Sequence, residues 1–106
     1  MSSKLNTLFR AIADPTRREI FHALVLAAAA LSISEISNQF EMSRQGVTKH
    51  IKILNDAGLV SMTTKGRTCF CLAKPDGLKE LNAWIQFYEK FWDNALDNLE
   101  RFLDKD

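Results

Sequence analysis

The chain of 106 residues is poor in several features, and each shortage excludes a class of protein. Its two cysteines, Cys69 and Cys71, are two apart on one strand and cannot bridge each other, so no disulfide scaffold is expected and a reducing cytoplasm fits. The longest apolar run, residues 23–31, has nine residues and is too short to span a bilayer. Residues 1–13 lack the apolar core of a signal peptide. Without a linker or an internal repeat, we expect one domain over residues 1–106.

Residue combinations that carry out catalysis are also missing. There are only two histidines, His22 and His50. Neither suggests a Ser/His/Asp or Cys/His arrangement, and no glycine-rich phosphate loop or paired-carboxylate site stands out. We therefore predict that the chain is not an enzyme and needs no cofactor.

The charge is nearly balanced overall but is unevenly distributed. The formal net charge is +1, which by itself argues against nucleic acid as a partner. Residues 43–67 contain five cations and one anion, whereas residues 76–106 contain four cations and eight anions. Because the local field governs the approach to DNA more than net charge does, a basic middle and an acidic tail keep DNA binding open.

The basic middle has the pattern of an amphipathic helix. Ser43 is a good N-cap, and Gly58 stands where a helix end needs positive φ. At 100° per residue, Val47, Ile51 and Leu54 form one apolar stripe. The opposite face is polar and includes Asp56. Its residues that can read base edges or contact phosphates are Arg44, Gln45, Thr48, Lys49 and Lys52.

The flanking segments complete a larger motif. Residues 32–40 pair Ser32 with Glu35 at capping-box spacing and predict a short helix before the basic one. Residues 59–72 predict two strands around a turn that carries Lys65 and Arg67. A helix-turn-helix over 32–57 followed by this hairpin is typical of a winged helix. By strand alternation we expect Phe70 and Leu72 to face the core, and Cys69 and Cys71 to face away from it.

The two ends of the chain predict further helices. Asp14 followed by Pro15 is a strong start signal, which places helices over residues 3–12 and 15–28. Arg17 and Arg18 can contact DNA phosphates or pair with nearby carboxylates. Residues 77–104 form a long helix whose apolar stripe is more than a small domain can cover by itself. A second copy of the chain is the simplest partner, and a membrane surface is disfavoured because the helix's polar face is acidic.

These segments together resemble the arsenic-repressor (ArsR) family of bacterial winged-helix regulators. The resemblance rests on residues 42–54, Ala57-Gly58-Leu59-Val60, Gly66-Arg67 and Asp14-Pro15-Thr16-Arg17-Arg18-Glu19-Ile20. The aromatic last helix is similar to that of a metal-free branch. The four alanines at 27–30 depart from the family's usual polar or glycine-containing turn, which leaves the end of the second helix open between a longer helix and an apolar turn.

The resemblance implies a fold that is mainly α with a small β-hairpin wing (α+β), containing about five helices and two to three short strands. It implies a cytoplasmic, nucleoid-associated homodimer that binds an inverted repeat in double-stranded DNA, most often as a repressor. No residue distinguishes repression from activation or names a small-molecule effector. Base contacts are expected from Arg44, Gln45, Thr48 and Lys49. Phosphate and minor-groove contacts are expected from Ser43, His50, Lys52, Lys65 and Arg67, although His50 can equally support the turn.

The interface between subunits is expected on the first and last helices. Its predicted members are Leu5, Leu8, Phe9, Trp84, Tyr88, Phe91, Trp92, Ala95, Leu96, Leu99 and Leu103. The family's metal ligands are not expected here, since Ser32 and Ser34 replace its Cys-x-Cys and the last helix has no histidine. Two other functions stay open: a thiol-redox or thiophilic-metal switch using Cys69 and Cys71, and a helix-mediated interaction module that binds DNA weakly.

Overall fold

The computed structural model describes residues 3–104. Five α-helices and three strands are present in this range, with one short 3₁₀ turn, Pro75–Leu78. The helices are α1 Ser3–Ala13, α2 Pro15–Ala27, α3 Ile33–Phe40, α4 Arg44–Asp56 and α5 Lys79–Leu103. The strands are β1 Leu31–Ser32, β2 Val60–Lys65 and β3 Thr68–Ala73, which form one antiparallel sheet in the order β1-β3-β2. The predicted winged helix-turn-helix, mainly α with a small wing, is confirmed.

Three polar side chains set the starts of α2, α3 and α4. Asp14 Oδ2 accepts a hydrogen bond from the Arg17 amide at 2.9 Å, and the hydroxyl oxygens of Ser32 and Ser43 accept from the amides three residues on at 3.1 Å. Each satisfies one of the donors that the first turn of a helix leaves unpaired. Gly58, at φ 78°, follows the end of α4. The predicted start and end of the basic helix are therefore confirmed.

The alanine run forms a turn rather than a longer helix. Ala28 adopts the left-handed conformation, with φ 53° and ψ 25°, and its amide donates to the carbonyl of Val25. Ala28, Ala29 and Ala30 are all exposed. The chain must leave the helix here because Leu31 pairs with Cys71 in the sheet.

The core lies between the first four helices and the inner face of the sheet. Its largest fully buried side chains include Ile20, Leu24, Ile36, Ile51 and Leu54. The same cluster contains Leu5 and Leu8, which are 6% and 0% exposed. Their prediction as interface residues is therefore wrong, because the inward side of α1 is used to close the chain's own core.

The prediction that Phe70 and Leu72 form the inner face of the wing is also wrong. Cys71 is fully buried and pairs with Met62, while Cys69 is partly buried against the core. Leu72 is 42% exposed and Phe70 is half-buried on the outer face. The alternation along β3 is as expected, but the cysteines face inward because β3 is the central strand and packs its cysteine face on the helices.

Helix α5 projects from this core. Its 25 residues correspond to about 37 Å of helix, and the described chain extends 71 Å along its longest axis. None of its residues is buried, although Leu81 and Trp84 pack partly against the core. Within residues 3–104, no helix is long and apolar enough to cross a membrane.

Candidate DNA-binding surface

One face of α4 gathers the residues that were predicted to contact DNA bases. The side chains that line a shallow depression on this face are Arg44, Gln45, Thr48, Lys49 and Lys52. All except the half-buried Thr48 are exposed. On the opposite face Val47, Ile51 and Leu54 are 0% exposed. The buried face determines which side of the helix points outward, so the polar face is exposed.

Two hydroxyl groups of this surface already make bonds within the helix. Thr48 Oγ1 donates to the carbonyl of Arg44 at 2.8 Å, so its methyl group and lone pairs remain for a partner. The Ser43 hydroxyl oxygen caps α4 by accepting from the Gly46 amide, which leaves its proton to donate. A side chain at Gly46 would crowd this cap, since a Cβ atom there would lie 3.2 Å from the Ser43 oxygen.

The wing presents two cations at its tip. Lys65 ends β2 and pairs with Thr68 across the turn, and Gly66 adopts φ 64°, which suits the turn. Both Lys65 and Arg67 are exposed. Both charges are therefore accessible to a polyanionic backbone.

Arg17 and Arg18 both bind the end of α1, an arrangement that the sequence analysis did not consider. Arg17 donates to the carbonyls of Ala11 and Arg10, each at 2.9 Å, and Arg18 donates to the carbonyl of Ile12 at 2.5 Å. These are the acceptors that the last turn of a helix leaves unpaired, and a cation there also interacts favourably with the negative end of the helix dipole. Pairing of either arginine with a nearby carboxylate side chain is not what the structure shows.

His50 lies beside Arg17 at the edge of α4. Its Nδ1 atom is 3.5 Å from Arg17 Nη1, and the residue is half-buried. The nearby Asp14 carboxyl has its pKa lowered from the ordinary value of 3.8, mainly by the hydrogen bond from the Arg17 amide. The charge of Arg17 acts in the same direction. Sequence reasoning missed this group because His50 is 33 residues from Arg17.

The buried thiol, Cys71, is poorly suited to a switch. Both cysteines are free, and burial raises the pKa of Cys71 to about 12, with neighbouring Cys69 adding to the shift. A thiol with such a pKa is protonated near neutral pH, whereas the thiolate is the form that reacts and binds metal. Across residues 3–104, no cluster of three or more His, Cys, Asp or Glu side chains is arranged to hold a metal ion.

Helix α5 carries a second uncovered surface. Its predicted interface residues from Tyr88 onward are all exposed, with Trp92 at 66% and Leu103 at 66%. Phe9 of α1 is half-buried and meets Trp84 edge to face at a ring separation of 5.0 Å. Phe87, which the sequence interpretation omitted, is 55% exposed and lies 5.0 Å from the ring of Phe91. Its position three residues after Trp84 was the available signal.

Comparison with known proteins agrees with this geometry. A family model described as a helix-turn-helix domain matches residues 12–63. The HTH-type transcriptional regulator Rv2034 of Mycobacterium tuberculosis is 31% identical over 92% of this chain and 87% of its own length. The transcriptional repressor SdpR of Bacillus subtilis is 28% identical over 87% of this chain and its whole length. The crystal structure of the ArsR family transcriptional regulator RHA00566 superposes with a TM-score of 0.76 at 30% identity, covering 85% of this chain and 91% of that one. Together with the wing and the cationic face of α4, these similarities show that the chain belongs to the ArsR family of winged helix-turn-helix transcriptional regulators.

Proposed function

We propose that the chain binds double-stranded DNA sequence-specifically, with α4 in the major groove. The observation that carries this proposal is the face of α4, where five polar or cationic side chains share one exposed depression above a fully buried stripe. A major groove admits one helix, and Arg, Lys and Gln can distinguish its base pairs by their donors and acceptors. Regulation of transcription follows from family membership.

Roles within the surface follow from position. The residues assigned to base edges are Arg44, Gln45, Thr48 and Lys49, from the N-terminal half of α4 and its centre. Ser43, Lys52, Lys65 and Arg67 are assigned to phosphates and the minor groove, which sets register without carrying sequence information. His50 is half-buried beside Arg17, and we assign it to support of α4.

A homodimer through α5 is the second part of the proposal. Large apolar side chains exposed along about five turns of one helix favour a stable partner surface. A second α5 matches its length and its apolar character, and Phe9 extends the surface onto α1. A two-fold axis would set two α4 helices about 34 Å apart, in successive major grooves. The expected target is therefore an inverted repeat.

Occlusion of RNA polymerase is the proposed consequence of binding, so the regulator acts as a repressor on the nucleoid in the cytoplasm. The support is the similarity to SdpR, which is named a transcriptional repressor. The burial and high pKa of Cys71 weigh against the thiol switch. The interaction module predicts weak DNA binding, which the following experiment separates from the main proposal.

The test begins with selection of duplexes that the purified chain retains from a random-sequence DNA pool. Fluorescence anisotropy across a salt series then compares the selected duplex with a random one. We expect a conserved inverted repeat that binds at least about a thousandfold more tightly than the control. Failure to enrich any sequence would refute specific binding and favour the interaction module.

A matched pair of variants tests the placement of the site. Lys49→Ala should reduce binding of the selected duplex strongly and leave thermal stability nearly unchanged. Lys90→Ala removes the same charge from an exposed position on α5 and should change neither. Equal losses in both variants would mean that general charge, not the face of α4, determines affinity.

A further inference from the structure

Arg17 connects two helices that have separate proposed roles. Its guanidinium group lies between the C-terminal end of α1, the helix that carries Phe9, and His50 on α4. We propose that Arg17 is a positioning residue for DNA recognition, which holds α4 at the rotation that reading the bases requires. This inference rests on the proposed DNA binding.

All three nitrogens of the guanidinium group have a neighbour. Nε donates to the Ala11 carbonyl and Nη2 donates to the Arg10 carbonyl, each at 2.9 Å. Nη1 then points at His50 Nδ1, 3.5 Å away. Because the two short bonds fix the plane of the group to α1, the third nitrogen is held in place against α4.

The contact restricts the tautomer of His50. A guanidinium group only donates, so the contact requires His50 Nδ1 to accept and the ring proton to lie on Nε2. The distance between Arg17 Nη1 and His50 Nδ1 is at the long limit for a hydrogen bond. Loss of this contact is therefore expected to lower affinity for the selected duplex by about tenfold at most.

The position of His50 on α4 explains why a modest contact matters. It directly follows Lys49 and lies at the border between the buried stripe and the exposed face. A rotation of α4 by about 20° would move a side-chain tip that is about 5–6 Å from the axis by about 2 Å. Such a shift breaks a hydrogen bond to a base edge but leaves a flexible lysine able to reach a phosphate.

The prediction is therefore a loss of selectivity rather than a loss of general DNA affinity. Lysine keeps the charge of Arg17 but cannot donate to three acceptors from one plane. Arg18 offers the matched control, because it binds the same end of α1, and within residues 3–104 no hydrogen bond or ion pair joins its side chain to α4. Selectivity is the ratio of affinities for the selected duplex and the random duplex at one salt concentration.

We expect Arg17→Lys and His50→Ala each to lower selectivity by about tenfold, with affinity for the random duplex changed less than about twofold. The double variant should have the same selectivity as the less selective of the two single variants, since both substitutions remove the same contact. His50→Gln, whose amide oxygen can accept from Arg17, should recover part of the loss. Arg18→Lys should keep the wild-type selectivity.

Three results would overturn the inference. Equal losses on both duplexes with a shallower salt slope would mean that Arg17 contacts a phosphate. A lower melting temperature with unchanged selectivity would mean that it only caps α1. A fall in selectivity for Arg18→Lys as large as for Arg17→Lys would mean that α1 as a whole, not the contact with His50, matters.

A measurement without DNA separates this inference from the proposed function. ¹⁵N NMR of the imidazole should show the Nε2–H form of His50 in the wild type and in Arg18→Lys, and tautomer exchange in Arg17→Lys. An unchanged His50 spectrum in Arg17→Lys would refute the contact whatever the DNA results. A wild type with the expected spectrum that enriches no sequence would refute the DNA-binding proposal and leave the contact standing.

Discussion

Ala28 is held in a conformation that costs free energy, and replacing it with glycine should stabilise the fold. At φ 53° an L-residue is less stable by about 1–2 kcal/mol than in the right-handed region, whereas glycine has no such cost. Glycine also loses more backbone freedom on folding, at a cost of about 0.5–1 kcal/mol. Ala28 is exposed, so little packing is lost with its methyl group. The net expectation is a gain of about 0.5–1 kcal/mol.

Ala29→Gly is the matched control for this change. Ala29 is also exposed, but its φ is not positive, so glycine there brings the entropy cost without relief of strain. We expect Ala28→Gly to raise the melting temperature by about 2–8 °C and Ala29→Gly to lower it slightly. Thermal unfolding followed by circular dichroism should be run at one protein concentration, since oligomers melt in a concentration-dependent way. Shifts of the same sign in both variants would refute the reasoning.

Three other predictions concern the partner surface, the thiols and pH. Trp92→Asp places a charge on the apolar face of α5, so light scattering should show monomers or aggregates; an intact dimer would place the interface elsewhere. Near neutral pH, iodoacetamide should modify Cys71 much more slowly in the folded chain than in the unfolded one. Micromolar zinc or arsenite should leave DNA affinity unchanged. Release of DNA by either ion would support the thiophilic-metal switch instead. The lowered pKa of Asp14 stabilises the fold fully above the ordinary value of 3.8, and this contribution is lost as pH falls through the folded-state pKa. Asp14→Asn, which keeps an oxygen acceptor, should flatten that acid dependence in unfolding measurements, and an unchanged profile would assign it to other carboxyls.

Features determined by a few neighbouring residues could be predicted from the sequence. Ser43 and Gly58 bound α4 because a cap hydroxyl and a residue tolerant of positive φ act within one turn of the helix end. The apolar stripe of α4 follows from the helical period, and its outward face follows with it. Most of the proposed reading surface lies on this one helix, which is why it could be predicted.

Features that depend on packing between distant segments could not be predicted from the sequence. Strand alternation separates Phe70 from Cys71 but does not say which face meets the helices, and β3 turned its cysteines inward. Leu8 and Trp84 both lie on apolar stripes with helical spacing, yet Leu8 is fully buried in the core and Trp84 is half-exposed. The contact between Arg17 and His50 joins side chains 33 residues apart, and no local pattern signals it.

The unequal distribution of charge gives the near-neutral chain a preferred orientation toward DNA. Residues 43–67 have an excess of four positive charges, and residues 76–106 have an equal excess of negative charges. The structure places the first group on α4 and the wing, and most of the second on the projecting α5. A polyanion is therefore attracted to the first surface and repelled by the second, which favours encounters through α4. The same repulsion keeps the exposed apolar face of α5 away from DNA and available to a second subunit.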